Sequence, residues 1–140
     1  MPRVHRAIDI KAPVDRIFSY VGDPINAPEW INSMVEVRDI RRGHYNWSWN
    51  MAGMELDGES DMVEEIPNEK MVIRSKGSIE STWTFKFKPH GNTTRLDLDI
   101  DYTIPASLKG KEAQGLVQKQ NEREMEIDLK NIKDRLEIPD

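Results

Sequence analysis

The chain has 140 residues, 37% of them hydrophobic and 32% charged, with a formal net charge of -5 and no cysteine. That length suits one domain able to bury roughly 68% of its unfolded surface, and the acidic balance disfavours general binding to nucleic-acid phosphates. The missing cysteines exclude disulfides, thiolate catalysis and cysteine-ligated metals. No stretch approaches the ~18 apolar residues of a membrane span, and none reads as a signal segment. A single cytoplasmic domain over residues 1–140, without membrane insertion, is expected.

In chain order, Val4, Arg6, Ile8 and Ile10 alternate with His5, Ala7, Asp9 and Lys11, which predicts a strand ended by Ala12-Pro13. Pro13 suits a first helical position, Asp15 complements the positive end of the helix dipole, and Gly22 is the expected cap. Between them Val14, Ile17, Phe18 and Val21 recur at helical spacing and predict one buried face. Asp23-Pro24 opens a second short helical turn, which carries Trp30.

From Met34 to Ile104 the sequence reads as strands separated by turns. Val35 to Ile40 is the first. Tyr45, Trp47, Trp49 and Met51 alternate with Asn46, Ser48 and Asn50, so three aromatics share one face. Asp57-Gly58 reads as a turn or bulge, and the adjacent Met62 and Val63 blur the pattern up to Ile66. Met71 to Ser75 is a short strand. Trp83, Phe85 and Phe87 alternate with Thr84, Lys86 and Lys88. Leu96, Leu98, Ile100, Tyr102 and Ile104 alternate with Arg95, Asp97, Asp99, Asp101 and Thr103. The three aspartates are expected on a solvated outer face, paired by Thr84, Lys86 and Lys88. Such strands with short turns imply an antiparallel meander, dry on one face and wet on the other.

No proline interrupts the chain between Pro105 and Pro139, and a helix is predicted from about Gln114 to Leu136. At ~1.5 Å per residue it would be about 35 Å long, enough to cross a small domain. Its apolar positions Ala113, Val117, Met125, Leu129, Ile132 and Leu136 leave a polar gap at Gln120, Asn121 and Glu124. The charged run from Asn121 to Asp128 is otherwise read as the helix's wet side. The fold class is α+β: a curved antiparallel sheet of about seven strands wraps the long C-terminal helix, and two short helices after the first strand close one end. Side chains need not fill such an interior, which leaves room for a cavity.

The order of elements resembles the polyketide cyclase/dehydrase branch of the START-like (SRPBCC, Bet v 1-like) superfamily. Ile8 to Val21, Asp23-Pro24 and Pro28-Glu29-Trp30 carry the first match. The second runs through Trp47, Ala52-Gly53, Gly58, Glu65-Ile66-Pro67-Asn68-Glu69-Lys70 and Arg74-Ser75. The third is Tyr102-Thr103-Ile104-Pro105 with Asp128-Leu129-Lys130-Asn131-Ile132-Lys133. The resemblance spans nearly the whole chain and implies a helix-grip fold. It implies an apolar cavity for a lipid-, quinone- or polyketide-like molecule, with cyclisation or dehydration in only a few members and no shared catalytic motif. Trp30 falls where such proteins open their cavity.

The candidate ligand contacts are Trp30, Tyr45, Trp47, Trp49, Trp83, Phe85 and Tyr102, because Trp and Tyr offer an N–H or O–H within an apolar wall. Ordinary core packing is the competing reading for each. Val117, Gln120, Asn121 and Glu124 complete the set from the helix, where water or solvent competes with a ligand. Were the domain an enzyme, Glu124 would be its acid/base, since an apolar pocket raises a carboxyl pKa. Tyr102 or Tyr45 would then donate to a developing enolate. His5, His44 and His90 are scattered, so no metal site and no cofactor is expected. Three functions stay open: a binding or carrier module, a cyclase or dehydratase, and a protein-interaction module without ligand.

Overall fold

The computed structural model describes residues 3–51, 53–77, 80–103 and 111–137, and the side chains of Met51, Met54 and residues 111–117 lie outside that set. Strand β1 (Arg3–Ile10) leads into helix α1 (Val14–Gly22), a 3-10 turn (Pro24–Asn26) and the short α2 (Ala27–Trp30). Six strands follow: β2 (Met34–Arg41), β3 (His44–Met51), β4 (Met54–Ile66), β5 (Lys70–Gly77), β6 (Ser81–His90) and β7 (Thr93–Tyr102). Helix α3 (Lys111–Leu136) is the last element. The strands form one curved, wholly antiparallel sheet in the order β1-β7-β6-β5-β4-β3-β2.

Periodicity explains the inner face. Leu96, Leu98 and Ile100 stand opposite Phe87, Phe85 and Trp83 across β6 and β7, and all six are buried. Burying each such side chain contributes ~1.5–3 kcal/mol. Helix α1 sets Ile17 and Val21 in the core and packs Phe18 on Phe87 at 5.1 Å between ring centres. Met125, Leu129, Ile132 and Leu136 form the buried stripe of α3. That half of the helix is also pinned by polar contacts. Lys133 Nζ donates to the Asp9 carbonyl (2.8 Å), Asn131 Nδ2 to the Trp30 carbonyl (3.2 Å), and Arg6 Nε to Glu126 (3.1 Å).

Four expectations are corrected. Gly22 is the last residue of α1 and not its cap; Asp23 follows it and accepts from the Ile25 N–H at 3.2 Å. A Cβ at Gly22 would stand 3.2 Å from the Met71 methyl, tighter than ordinary contact. Asp57-Gly58 is no turn, because both residues lie inside the 13-residue β4. The irregularity falls further on, between Met62 and Glu64, where a bulge absorbs the extra apolar residue and leaves Val63 exposed. Asp97 is not solvated: it is buried beneath His5 (3.5 Å), Lys88 (3.4 Å) and Arg95 (3.4 Å), whereas Asp99 and Asp101 meet Arg3 nearer the surface. Finally, Asp128 belongs to the buried stripe and not to the wet side of α3. The expected Ile104 end of β7 lies outside the described residues.

Candidate functional site

A cavity of about 90 Å3 opens between the sheet and the segment from α1 to α2. Trp30, Tyr45, Trp49, Trp83 and Phe85 form its aromatic wall, and Val21, Gly22 and Pro24 its helical side. The rings meet edge to face around Trp83. Trp30 lies 6.3 Å away at 69°, and Trp49 lies 6.0 Å away at 79°. Strand alternation delivers Tyr45 and Trp49 from β3 and Ser60 and Met62 from β4, while Ser75 comes from β5.

The hydroxyls in this wall are already engaged. Ser60 Oγ accepts from Trp47 Nε1 at 2.9 Å and lies 2.6 Å from Ser75 Oγ. Tyr45 also bonds Ser60, and burial pushes its phenol pKa up. The indoles differ. Trp30 Nε1 and Trp49 Nε1 are buried and have no hydrogen-bond partner among the described residues. A buried donor left unpaired costs ~1–3 kcal/mol.

Beyond Trp49 and Trp83 is a second void, of about 20 Å3. Ile31, Trp49 and Trp83 wall both spaces. Helix α3 closes the inner one with Asn121, Glu124, Met125 and Asp128, and Ser33 and Ile100 complete it. Glu124 accepts from Gln120 Nε2 (2.9 Å) and from Asn32 Nδ2 (3.2 Å). Asp128 Oδ1 accepts from the Asn32 backbone N–H at 2.8 Å. Burial, and secondly the charge of Glu124, raises the Asp128 pKa to about 8, against the opposing Asn32 hydrogen bond.

The candidates therefore divide by position. Trp30, Tyr45, Trp49, Trp83 and Phe85 line the outer cavity, and Asn121 and Glu124 line the inner void. Gln120 braces Glu124. Trp47 lines neither space; its ring lies over Gly58 and meets Trp49 at 5.2 Å with a tilt of 42°. Tyr102 also lines neither, so it does not share a cavity with Glu124, and its hydroxyl is buried without a partner among the described residues. The Val117 side chain lies outside the described residues. Sequence reasoning missed Asp128. The signal was present, because 128 is three residues after Met125 and four before Ile132, on the apolar stripe itself. Among the described residues no group of three His, Asp or Glu side chains could hold a metal ion, and no described helix is long and apolar enough to cross a membrane.

Several solved structures share this architecture. One from Thermus thermophilus is 22% identical, with a TM-score of 0.85 over 96% of this chain and 97% of its own. A START superfamily protein from Mycobacterium smegmatis is 17% identical, with a TM-score of 0.82 over 96% and 97%. The Zhui aromatase/cyclase from a Streptomyces species is 16% identical, with a TM-score of 0.78 over 97% and 93%. At these identities the likeness establishes the fold alone. No curated protein matches the chain in sequence. A family model described as polyketide cyclase / dehydrase and lipid transport, however, matches residues 1–137. By that match over nearly its whole length, and by the sheet that wraps α3, the chain belongs to the polyketide cyclase/dehydrase and lipid-transport family.

Proposed function

We propose that the chain works as one ligand-binding domain, holding a small, largely apolar molecule in the aromatic cavity without converting it. The observation that carries this reading is the pair of unpartnered indole N–H groups, on Trp30 and Trp49, in a wall that is largely apolar, with its serine hydroxyls bonded to one another and Glu65 as its charged member among the described residues. A ligand oxygen that reaches either one would recover the cost of that buried donor. The family's lipid-transport description supports the same reading. An acid–base enzyme is the second reading. Asp128 favours it, since a carboxyl near pKa 8 exchanges protons at neutral pH, and one solved relative is by name an aromatase/cyclase.

The test compares the purified protein's mass under native and denaturing conditions, with a titration of 2-(4-methoxyphenyl)ethanol followed by tryptophan fluorescence. An added mass that is lost on denaturation, and saturable quenching by the alcohol, are the expected results. Trp30→Phe and Trp49→Phe should each weaken the alcohol by about fivefold, the equivalent of ~1 kcal/mol for one hydrogen bond. A bare mass together with no quenching up to millimolar alcohol overturns the reading and leaves the protein-interaction function. Conversion of the released compound on re-addition would establish the enzyme instead.

A further inference from the structure

We infer that the inner void receives one ligand nitrogen, as a primary ammonium group, so that the molecule held in the aromatic cavity is an apolar amine. This rests on the binding reading above and specifies the ligand's polar end.

Size comes first. A void of about 20 Å3 admits one water-sized group. An ammonium nitrogen or a hydroxyl oxygen fits, and the two carboxylates that line the space, Glu124 and Asp128, repel a carboxylate or phosphate. Charge then decides between the two. Glu124 and Asp128 both face the void, and neither has an ion pair among the described residues. The buried Asp97, by contrast, draws His5, Lys88 and Arg95 around it. Among the described residues no basic side chain lines either space. Asp128 is 2% exposed, and its only hydrogen bond among the described residues is to the Asn32 N–H. An ammonium carries three donors and no acceptor. Glu124, Asp128 and the oxygens of Asn121 and Ser33 surround it with acceptors.

Trp49 borders both voids, its N–H has no partner among the described residues, and turning its ring breaks no hydrogen bond among them. With Trp49 turned aside, a molecule seated in the outer cavity extends into the inner one. Its cation then lies beside the rings of Trp49 and Trp83, where the negative aromatic face adds attraction.

Proton exchange follows from the same geometry. Glu124, on Asp128's own helix, is the titratable group that faces it. The segment after α2 presents Ile31, Asn32 and Ser33, strands β3 and β6 present Trp49 and Trp83, and β7 presents Ile100, all uncharged. The ammonium favours the ionised carboxyl, so Asp128 gives its proton to solvent as the amine docks intact. Affinity should rise between pH 6 and pH 8.

The experiment compares an isosteric pair, 2-(4-methoxyphenyl)ethylamine and 2-(4-methoxyphenyl)ethanol, by calorimetry at pH 7.5 in two buffers of different ionisation enthalpy. The amine is expected to bind about tenfold tighter, the equivalent of ~1.4 kcal/mol, and to release protons where the alcohol releases none. Glu124→Gln and Asp128→Asn should each shrink the amine-to-alcohol ratio, and Asp128→Asn should abolish proton release. An alcohol that binds as well as the amine overturns the amine assignment and leaves the binding function standing. Failure of both probes overturns the two together. An amine preference untouched in both variants would place the cation elsewhere and overturn the assignment as well.

Discussion

Asp128 occupies a helix position whose neighbours on the stripe are Met125, Leu129 and Ile132, and it is as deeply buried as they are. Such burial disfavours the charged form, which has a consequence for stability. Unfolded, the carboxyl titrates near its ordinary 3.8; folded, it titrates near 8. Between those values the folded chain binds more protons than the unfolded one, so this group's contribution is full below about pH 4 and is lost as pH rises towards 8. Asp128→Asn keeps an acceptor for the Asn32 N–H and removes the titration. The variant should be the more stable protein at pH 8, by on the order of a few kcal/mol, and the difference should narrow at pH 5. Denaturant midpoints at the two pH values measure this, and parallel curves for variant and parent would refute it. The residue was legible in the stripe's spacing, but an aspartate in a run of charges reads as solvent-facing unless the 3.6-residue period is followed strictly. Glu124 is the reverse case. The gap in the stripe exposed it to notice, yet only the fold shows that Gln120 and Asn32 hold it.

At the scale of elements, β3 and β4 show why strand parity alone leaves roles undecided. Tyr45, Trp47 and Trp49 share a face by alternation, which the sequence made plain. Their roles part because they stand opposite Ser60, Gly58 and Leu56 respectively. Opposite glycine, the Trp47 ring takes the space a side chain would fill and becomes packing, while Tyr45 and Trp49 border the cavity. Cross-strand partners depend on register, and the β3–β4 register is set by the tight connection between Met51 and Met54, which alternation within either strand does not reveal. Gly58 is a related case, since a glycine in a strand looks like a turn until something is found lying over it. A Cβ at Gly58 would collide with the Trp47 ring and with the Lys76 carbonyl. Gly58→Ala should therefore cost ~2–4 kcal/mol. Trp47→Leu in the same chain should return part of that loss by freeing the ring's space, although the backbone clash with Lys76 remains. A double-mutant cycle by thermal unfolding checks the coupling, and strictly additive losses would show that the ring does not depend on the glycine.

For the molecule as a whole, the sheet's curl, the short helices and α3 were all legible, because clear alternation in β3, β6 and β7 and a proline-free C-terminal segment admit few packings. The division of the interior into two spaces was not, since it depends on how Ile31 and the indoles of Trp49 and Trp83 stand between them. Trp83 touches Trp30, Trp49 and Phe85 and walls both voids, so it serves stability and cavity shape together. Truncating it sets the two against each other. Trp83→Leu should destabilise the empty protein by ~2–4 kcal/mol, through lost contacts and the enlarged void. At ~2–4 °C per kcal/mol for a chain near this length, that is a fall in Tm of about 4–16 °C. The enlarged interior should then favour a wider ligand. A saturating concentration of 2-(1-naphthyl)ethanol is expected to raise the variant's Tm by more than the parent's, since binding to the folded state stabilises in proportion to RT ln(1 + [L]/Kd). Equal shifts in both proteins would mean that the ring does not border the ligand. A large loss of stability without any gain in ligand response would make Trp83 a core residue only, and would move the cavity's working wall to Trp30 and Trp49.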